Sequence, residues 1–415
     1  MTRKHILLSL IATAMLLGAC AYGWRQWRLA HPDRSHEMTA LTQNMRTHCV
    51  GRLLIDLPEG STWKPDASGA TIGGIKLAVE TDIRQERFKE RVEKRWREVE
   101  AIKLDNYRKR YVRPSERHDP TANAAVFLYE FEYIDGPNLQ GVWSKDLFYQ
   151  VEGYYWADGT LFKLGPALNG QEKIAALLPR LYARKADEIP FSPGLCLNGG
   201  FVRGYYDLGE SEEVSWGFSL PRNMGIAVRH TKVSTPATSL FQRERESRDE
   251  AAAYLSALLT PEETFKEHLF RQATRQVGEL RGEELIVGSV EDTGVDKYVT
   301  SIDGIWEYTG KGAPSFQPQI KLILDTPSFL TTYIPSPAGG FPKWEDTPDG
   351  PTEAEFFEVW DAVVASVRFR PGALTPPPLK PDPAPPISRE QAEADQRVLD
   401  EFITSRPDNS GKPSK

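Results

Sequence analysis

Ser115, His118 and Asp119 bring the residue types of a nucleophile, a base and an orienting acid into one pentapeptide. That composition could serve hydrolysis. The stretch is Pro-flanked and reads as a loop, however, whereas the members of a working triad come from distant segments held by a fold. Other signatures of chemistry are absent: there is no Gly-x-Ser-x-Gly elbow, no His-Glu-x-x-His, no Cys-x-x-Cys, no phosphate loop and no dinucleotide-binding glycine fingerprint. His36, His48, His118, His230 and His268 stand apart, without the three- or four-residue spacing that a helical metal site needs. No catalytic residue, metal ligand or cofactor is expected, and the chain reads as a binder rather than an enzyme.

The cysteines carry more information. Cys20 closes Leu17-Gly18-Ala19-Cys20, behind Arg3, Lys4 and an apolar run from Ile6 to Leu17. That run is shorter than the roughly 20 residues needed to span a bilayer, and a charged start with small residues before the cut is the pattern of a cleaved signal. The motif resembles the bacterial lipobox, in which the thiol takes a diacylglycerol and becomes the new N-terminus. This implies removal of residues 1–19 and anchoring through acyl chains on Cys20. Each buried methylene contributes about 0.8 kcal/mol, and more than one chain holds stably. Ala21, rather than Asp, resembles the outer-membrane sorting pattern, so the expected station is the periplasmic inner leaflet of the outer membrane. Cys49 and Cys196 then remain as an even pair in an oxidising compartment, where disulfides form and persist. A Cys49–Cys196 bond is expected. The alternative is two separate thiols at equivalent buried sites in two similar units.

The formal charge of −7 becomes −9 once Arg3 and Lys4 leave with the signal. An acidic chain without a basic stripe repels phosphate backbones, which excludes a nucleic-acid partner. The charge is unevenly placed: residues 49–193 carry 22 basic and 22 acidic side chains, residues 196–373 carry 17 and 27. The run Glu210-Ser211-Glu212-Glu213 and the acidic residues from Glu345 to Glu355 read as solvated faces. A sharper reading makes them a field that steers a basic partner, with Glu210, Glu212 and Glu213 as contact candidates.

Hydrophobic patterning divides the chain. Residues 20–44 form the anchor and linker, 45–193 and 194–373 two similar domains, and 374–415 a Pro-rich spacer with a polar tail. The first unit opens with a strand in Cys49–Pro58, and a polar Gly-containing turn leads to another in Ile75–Val79. A helix from Asp82 to about Arg108 follows, with Ile83, Phe88, Val92, Trp96, Val99 and Ile102 on one stripe. Strands return at Ala125–Tyr133, Leu147–Trp156 and Leu161–Leu164, and a helix at Gln171–Arg184 closes the unit. The second unit repeats the order. Cys196–Tyr206 opens it, Val214–Leu220 and Ile226–Lys232 read as strands, and helix is expected from Ser239 through Leu259 and on through Glu262–Gln276. Glu284–Val290, Lys297–Thr300, Gly304–Tyr308 and Gln319–Asp325 read as a meander with Asp303-Gly304 as a turn, and Thr352–Val367 as the closing helix. Each half is therefore expected to be α+β, an antiparallel sheet packed with helices in an α/β sandwich, and the pair a divergent duplication. Beyond them, the prolines from Pro376 to Pro386 force an extended spacer, and a short helix could follow Ser388.

Several segments together resemble a known family. They are Cys49-Val-Gly-Arg-Leu-Leu-Ile-Asp-Leu-Pro58, Leu195-Cys-Leu-Asn-Gly-Gly-Phe-Val202, Val214 to Pro221, Ser239-Leu-Phe-Gln-Arg243, Gly282-Glu-Glu-Leu285, Trp306-Glu-Tyr308 with Pro318-Gln-Ile-Lys-Leu322, and Trp360 to Pro371. Spread over most of residues 45–373, they resemble the two-domain immunity proteins of type VI secretion that neutralise phospholipase effectors. Each is a structural motif, not a reactive site. The resemblance implies a clawlike pair of domains that grips an α/β-hydrolase effector in the periplasm and blocks its lid from opening. Contact residues would sit on loops such as 136–141, 210–213 and 339–350, with Trp344 a candidate anchor. The competing reading is an envelope lipoprotein with a ligand-binding or scaffolding role.

Overall fold

The computed structural model describes residues 3–102, 113–137, 141, 143–207, 209–247, 265–292, 298–312, 316–327, 329–331, 350–378 and 397. The first half comprises a long helix α1 (Arg3–Ala30), the hairpin β1 (Met45–Val50) and β2 (Leu53–Pro58), then β3 (Thr62–Ile72), β4 (Ile75–Glu80) and α2 (Gln85–Glu100). It continues through β5 (Glu116–Thr121), β6 (Ala124–Pro137), β7 (Trp143–Ala157), β8 (Thr160–Leu168), α3 (Gln171–Leu177) and the short β9 (Leu181–Ala183). The second half comprises β10 (Gly194–Leu197), β11 (Gly200–Arg203), β12 (Glu212–Ser219), β13 (Gly225–Thr231) and α4, described over 240–247. Then come β14 (Phe265–Val277), β15 (Leu280–Asp292), β16 (Tyr298–Tyr308), β17 (Gln319–Asp325), β18 (Phe329–Thr331), α5 (Glu353–Ser366) and β19 (Arg368–Phe369).

In hydrogen-bonded order the first half runs β3-β4-β8-β7-β6-β5 and the second β12-β13-β17-β16-β15-β14. The plan is the same in both: two strands, then a four-strand meander folded back so that its last strand lies beside the second. The halves are α+β, as the patterning implies, but their sheets are continuous. β3 pairs antiparallel with β12, Ile72 opposite Glu212 and Thr62 opposite Ser219, and a single apolar core runs through both halves. Short strands are also exchanged. β19, from the end of the second half, completes the β1–β2 hairpin, and β9, from the end of the first, completes β10–β11.

Helix α2 buries Phe88, Val92 and Val99 against Phe127 and Tyr129 of β6, as its apolar stripe requires. It ends at Glu100, short of the expected Arg108, where the Ile102 N–H turns back to the Val99 carbonyl in a tightened last turn; residues 103–112 lie outside the described residues. Helix α5 agrees with expectation to within its caps. The Thr352 hydroxyl accepts from the Glu355 N–H while the Glu355 carboxylate accepts from the Thr352 N–H, and Phe356, Val359, Trp360, Val363 and Val364 are buried.

Six expectations are corrected. Cys49–Pro58 is not one strand but most of the β1–β2 hairpin, which turns at Gly51-Arg52. The turn expected before Ile75 is strand β3, held as a strand by its pairing with the distant β12. The helix at 171–184 stops at Leu177, because Pro179 lacks an N–H and its ring obstructs the preceding turn; the chain leaves through Leu178–Arg180 as a 3-10 turn and becomes β9. Residues 265–277 are strand, not helix. Arg271, Ala273, Arg275 and Val277 are buried in strict alternation, and two inward arginines disguised the period of two. Asp303-Gly304 is not a turn but the middle of β16. A Cβ on Gly304 would stand 3.1 Å from the Trp360 ring, so glycine is there to let α5 approach the sheet. Ser115–Asp119 is not a loop beyond its first residue: Glu116–Thr121 forms β5, where Arg117 holds Asp119 at 3.0 Å. The expected helix beyond residue 247 and the tail helix after Ser388 lie outside the described residues, apart from the single residue 397.

Candidate partner-binding surfaces and the junction that sets them

Cys49 and Cys196 occupy the same place in equivalent hairpins: Cys49 stands opposite Leu54, and Cys196 opposite Phe201. They are bonded to each other, with Cα atoms 5.8 Å apart, and both are buried. Equivalent sites and a shared disulfide are therefore not alternatives here. The hairpins also exchange backbone hydrogen bonds, from the Gly51 N–H to the Cys196 carbonyl at 3.0 Å and from the Cys196 N–H to the Gly51 carbonyl at 2.8 Å. Gly51 has φ +57° and faces the His230 ring, so the turn admits no side chain without strain. His230 is fully buried, and neither ring nitrogen has a hydrogen-bond partner among the described residues. Burial, with Arg52 and Lys232 nearby, pushes its pKa down to about 3.

The acidic run at 210–213 is not one solvated face, which corrects the reading of all three glutamates as contact residues. β12 points alternate side chains to opposite sides. Glu212 faces inward, and its carboxylate meets the Arg52 guanidinium at 2.6 Å, both side chains being 1% exposed. Arg52 also donates to the carbonyls of Tyr205 and Ala373 and lies 4.9 Å from the centre of the Tyr206 ring. Burial and, next, the Glu212 carboxylate push the Tyr206 phenol well above its usual range. Glu210 is half-buried in a two-pronged pair with Arg180, at 2.8 and 2.9 Å. Glu213 alone is exposed. Trp344 lies outside the described residues.

Other charged groups, scattered in sequence, are assembled by the fold. Arg184 follows β9 and Arg370 follows β19, so the exchanged strands place them equivalently. Arg184 donates to the carbonyls of Leu197 and Glu188, and Arg370 to those of Pro190, Ser192 and Gly194. The signal that could have found them is a repeated tetrapeptide pattern after each closing helix, Leu181-Tyr-Ala-Arg184 and Val367-Arg-Phe-Arg370. Under α5, Arg271 pairs with Asp361 at 2.7 Å and Arg275 with Glu284 at 2.6 Å, while the Trp360 indole donates to Glu284 at 2.7 Å. Residues 33–42 strap onto this cluster: Arg34 pairs with Glu284, His36 with Asp361 at 2.6 Å, and the Thr39 N–H with Glu358 at 2.8 Å. A cavity of about 530 Å³ lies under the strap, lined in part by Arg34, His36, Met38 and Arg275. The segment expected as linker is docked over this stretch.

A second cavity, of about 230 Å³, opens at the seam between the halves, where Trp63 and Trp216 stand with Asn198 and Val79. It has the size of a side-chain socket rather than a small-molecule site. Cys20 is exposed on α1. Among the described residues no three His, Cys, Asp or Glu side chains are placed to hold a metal ion, and no helix is long and apolar enough to cross a membrane.

Residues 46–176 match the family model described as the Tle cognate immunity protein 4 N-terminal domain, and residues 188–372 match the corresponding C-terminal domain. No curated protein matches the chain. Solved structures share the fold. The apo structure of immunity protein TplEi of T6SS from Pseudomonas aeruginosa is 21% identical, with TM-score 0.56, over 81% of this chain and 100% of that one. A chain of the Tle4-Tli4 complex is 22% identical, with TM-score 0.57, over 80% and 99%. TplEi complexed with "L" peptide is 21% identical, with TM-score 0.51, again over 80% and 99%. With both domain models matched in order across one continuous sheet, this chain belongs to the Tle cognate immunity protein 4 family.

Proposed function

We propose that this chain is a lipid-anchored periplasmic immunity protein that binds a type VI secretion phospholipase effector and holds it inactive, with the lid closed and the cleft covered. The observation that carries the reading is the ordered match of both halves to the two domains of the Tle cognate immunity proteins. A solved protein of this fold stands in the Tle4-Tli4 complex, which supports a protein partner for this chain as well. Inhibition of this kind needs no chemistry from the binder. A partner that binds the closed lid state in preference to the open one depletes the population able to engage lipid, in proportion to its differential affinity.

Rigidity supports the reading. The disulfide, the exchanged strands β9 and β19 and the β3–β12 seam are four ties between the halves. A grip whose two arms are fixed before encounter loses little entropy on closing around a partner. Two arms on one effector would bury more than the roughly 1,600 Å² of a standard interface. Glu213 and the acidic balance of the second half would favour approach of a basic surface.

The test is coexpression of the chain with the lipase encoded nearest to it, then copurification and a phospholipase assay. A stable complex with activity abolished is expected; no binding and undiminished lipase activity would overturn the proposal. Turnover of ester or phospholipid substrates by the purified chain alone would replace it with a hydrolase reading.

A further inference from the structure

Cys20, Trp24, Trp27 and His31 recur at alternating spacings of four and three residues along and just past α1. At 3.6 residues per turn they share one face. The face is built: the Trp24 and Trp27 rings stack at 5.3 Å, Trp27 and His31 at 5.1 Å, and the Arg28 guanidinium lies 5.9 Å from the Trp24 ring centre. It is also uncovered, with Trp24 59% exposed and Trp27 52%. Leu29, on the opposite side of the helix, is buried, and α1 packs against β14. An aromatic stripe turned away from the protein body, with Arg28 laid against it, has the composition of a membrane-interface element. Indole rings settle at headgroup level, and arginines reach phosphates while laying their stems on apolar surface.

We propose that this face of α1 docks on the phospholipid bilayer surface and orients the body upon it. The proposal rests on the lipid-anchor reading of Cys20 and extends it. An acylated Cys20 would place the membrane on this side of the helix. Trp24 then stands about 6 Å along the axis and Trp27 about 10 Å, within reach of the interface. Downstream, the strap at 33–42 is held to the second half through Arg34, His36 and Thr39. No free tether is left between stripe and body, so docking of the stripe turns the β14 side of the sheet toward the bilayer. The anchor becomes a mount with a set direction rather than a leash.

The test uses the full chain purified from membranes and reconstituted into vesicles of phosphatidylethanolamine and phosphatidylglycerol whose acyl chains are brominated near the headgroup. Bromine quenches indole emission on contact. Trp24 and Trp27 are two of ten tryptophans, so loss of about a fifth of the emission is expected, and that loss should vanish in W24F/W27F. Protein that floats with the vesicles but shows no quenching, or equal quenching in both forms, leaves the anchor standing and overturns the docking face. Chains paired with each other through this stripe, detected as a cross-linked dimer that W24S/W27S abolishes without any lipid quenching, would also overturn it. Failure to float would overturn anchor and face together, and effector inhibition measured on the same preparation keeps the immunity proposal separate from either.

Discussion

Cys49 and Cys196 lie 147 residues apart in sequence, stand at matching positions of two equivalent hairpins, and are bonded to each other where those hairpins meet. The bond joins the halves at the same place where Gly51 and Cys196 exchange backbone hydrogen bonds. A loop of that length, closed in the unfolded chain, corresponds to about 5 kcal/mol in the chain-entropy model. C49S/C196S is expected to lower the midpoint of thermal unfolding by several degrees relative to the oxidised protein. A midpoint that is unchanged, or free thiols at both positions by alkylation and intact mass, would remove the disulfide from the stability of the junction.

Arg368 and Arg370 sit two residues apart and should behave oppositely. Arg368 pairs with Asp56 at the surface, 45% exposed, and R368Q is expected to cost under about 0.5 kcal/mol. Arg370 is buried and serves three carbonyls at once, so R370M strands those acceptors and is expected to cost about 3 kcal/mol. Urea unfolding of the two variants separates the cases; equal costs would mean that the exchanged strand is not anchored through Arg370.

His230 predicts a pH dependence. Folded, its pKa is held down to about 3; unfolded, it returns towards 6.5. Between those values the unfolded state binds the extra proton. Stability attributable to this site is therefore fully present above pH 6.5 and falls as pH drops towards 3, by roughly 1.4 kcal/mol per pH unit at the steepest. H230L should flatten this part of the acid limb, read from chemical unfolding at a series of pH values. Parallel curves for the two proteins would mean that His230 contributes no acid sensitivity.

Glu212 and Glu213 are neighbours with opposite environments. E212Q leaves the buried Arg52 without its counter-charge and is expected to destabilise by about 3 kcal/mol. E213Q should leave stability within about 0.5 kcal/mol and instead slow capture of the effector, with a weaker salt dependence of the on-rate. Stopped-flow association at two ionic strengths decides it, and an on-rate that is insensitive to both salt and E213Q would remove steering from the account.

Periodicity made α2 and α5 legible because their stripes of Phe88, Val92 and Val99, and of Phe356, Val359, Trp360 and Val363, are apolar without interruption. The same criterion failed at β14. Arg271 and Arg275 face inward there only because Asp361 and Glu284, which arrive from other elements, neutralise them. Asp303-Gly304 misled for a related reason: a glycine selected to make room for Trp360 looks like one selected for a turn. The run at 210–213 looked like one acidic face in sequence, and the pleat of β12 separated Glu212 from Glu213.

By itself the sequence determined the α+β class, the repeated order of two units, most strand positions and the pairing of Cys49 with Cys196 as an expectation. These follow from local patterns, since period, turn chemistry and cysteine parity act over a few residues. Only the tertiary structure decided that the two sheets are one, that β9 and β19 trade places, and that Glu212 is internal while Glu213 faces solvent. It also decided that residues 33–42 are strapped down. Each of these depends on a partner distant in the chain, and no local pattern encodes which distant edge, arginine or carboxylate will arrive.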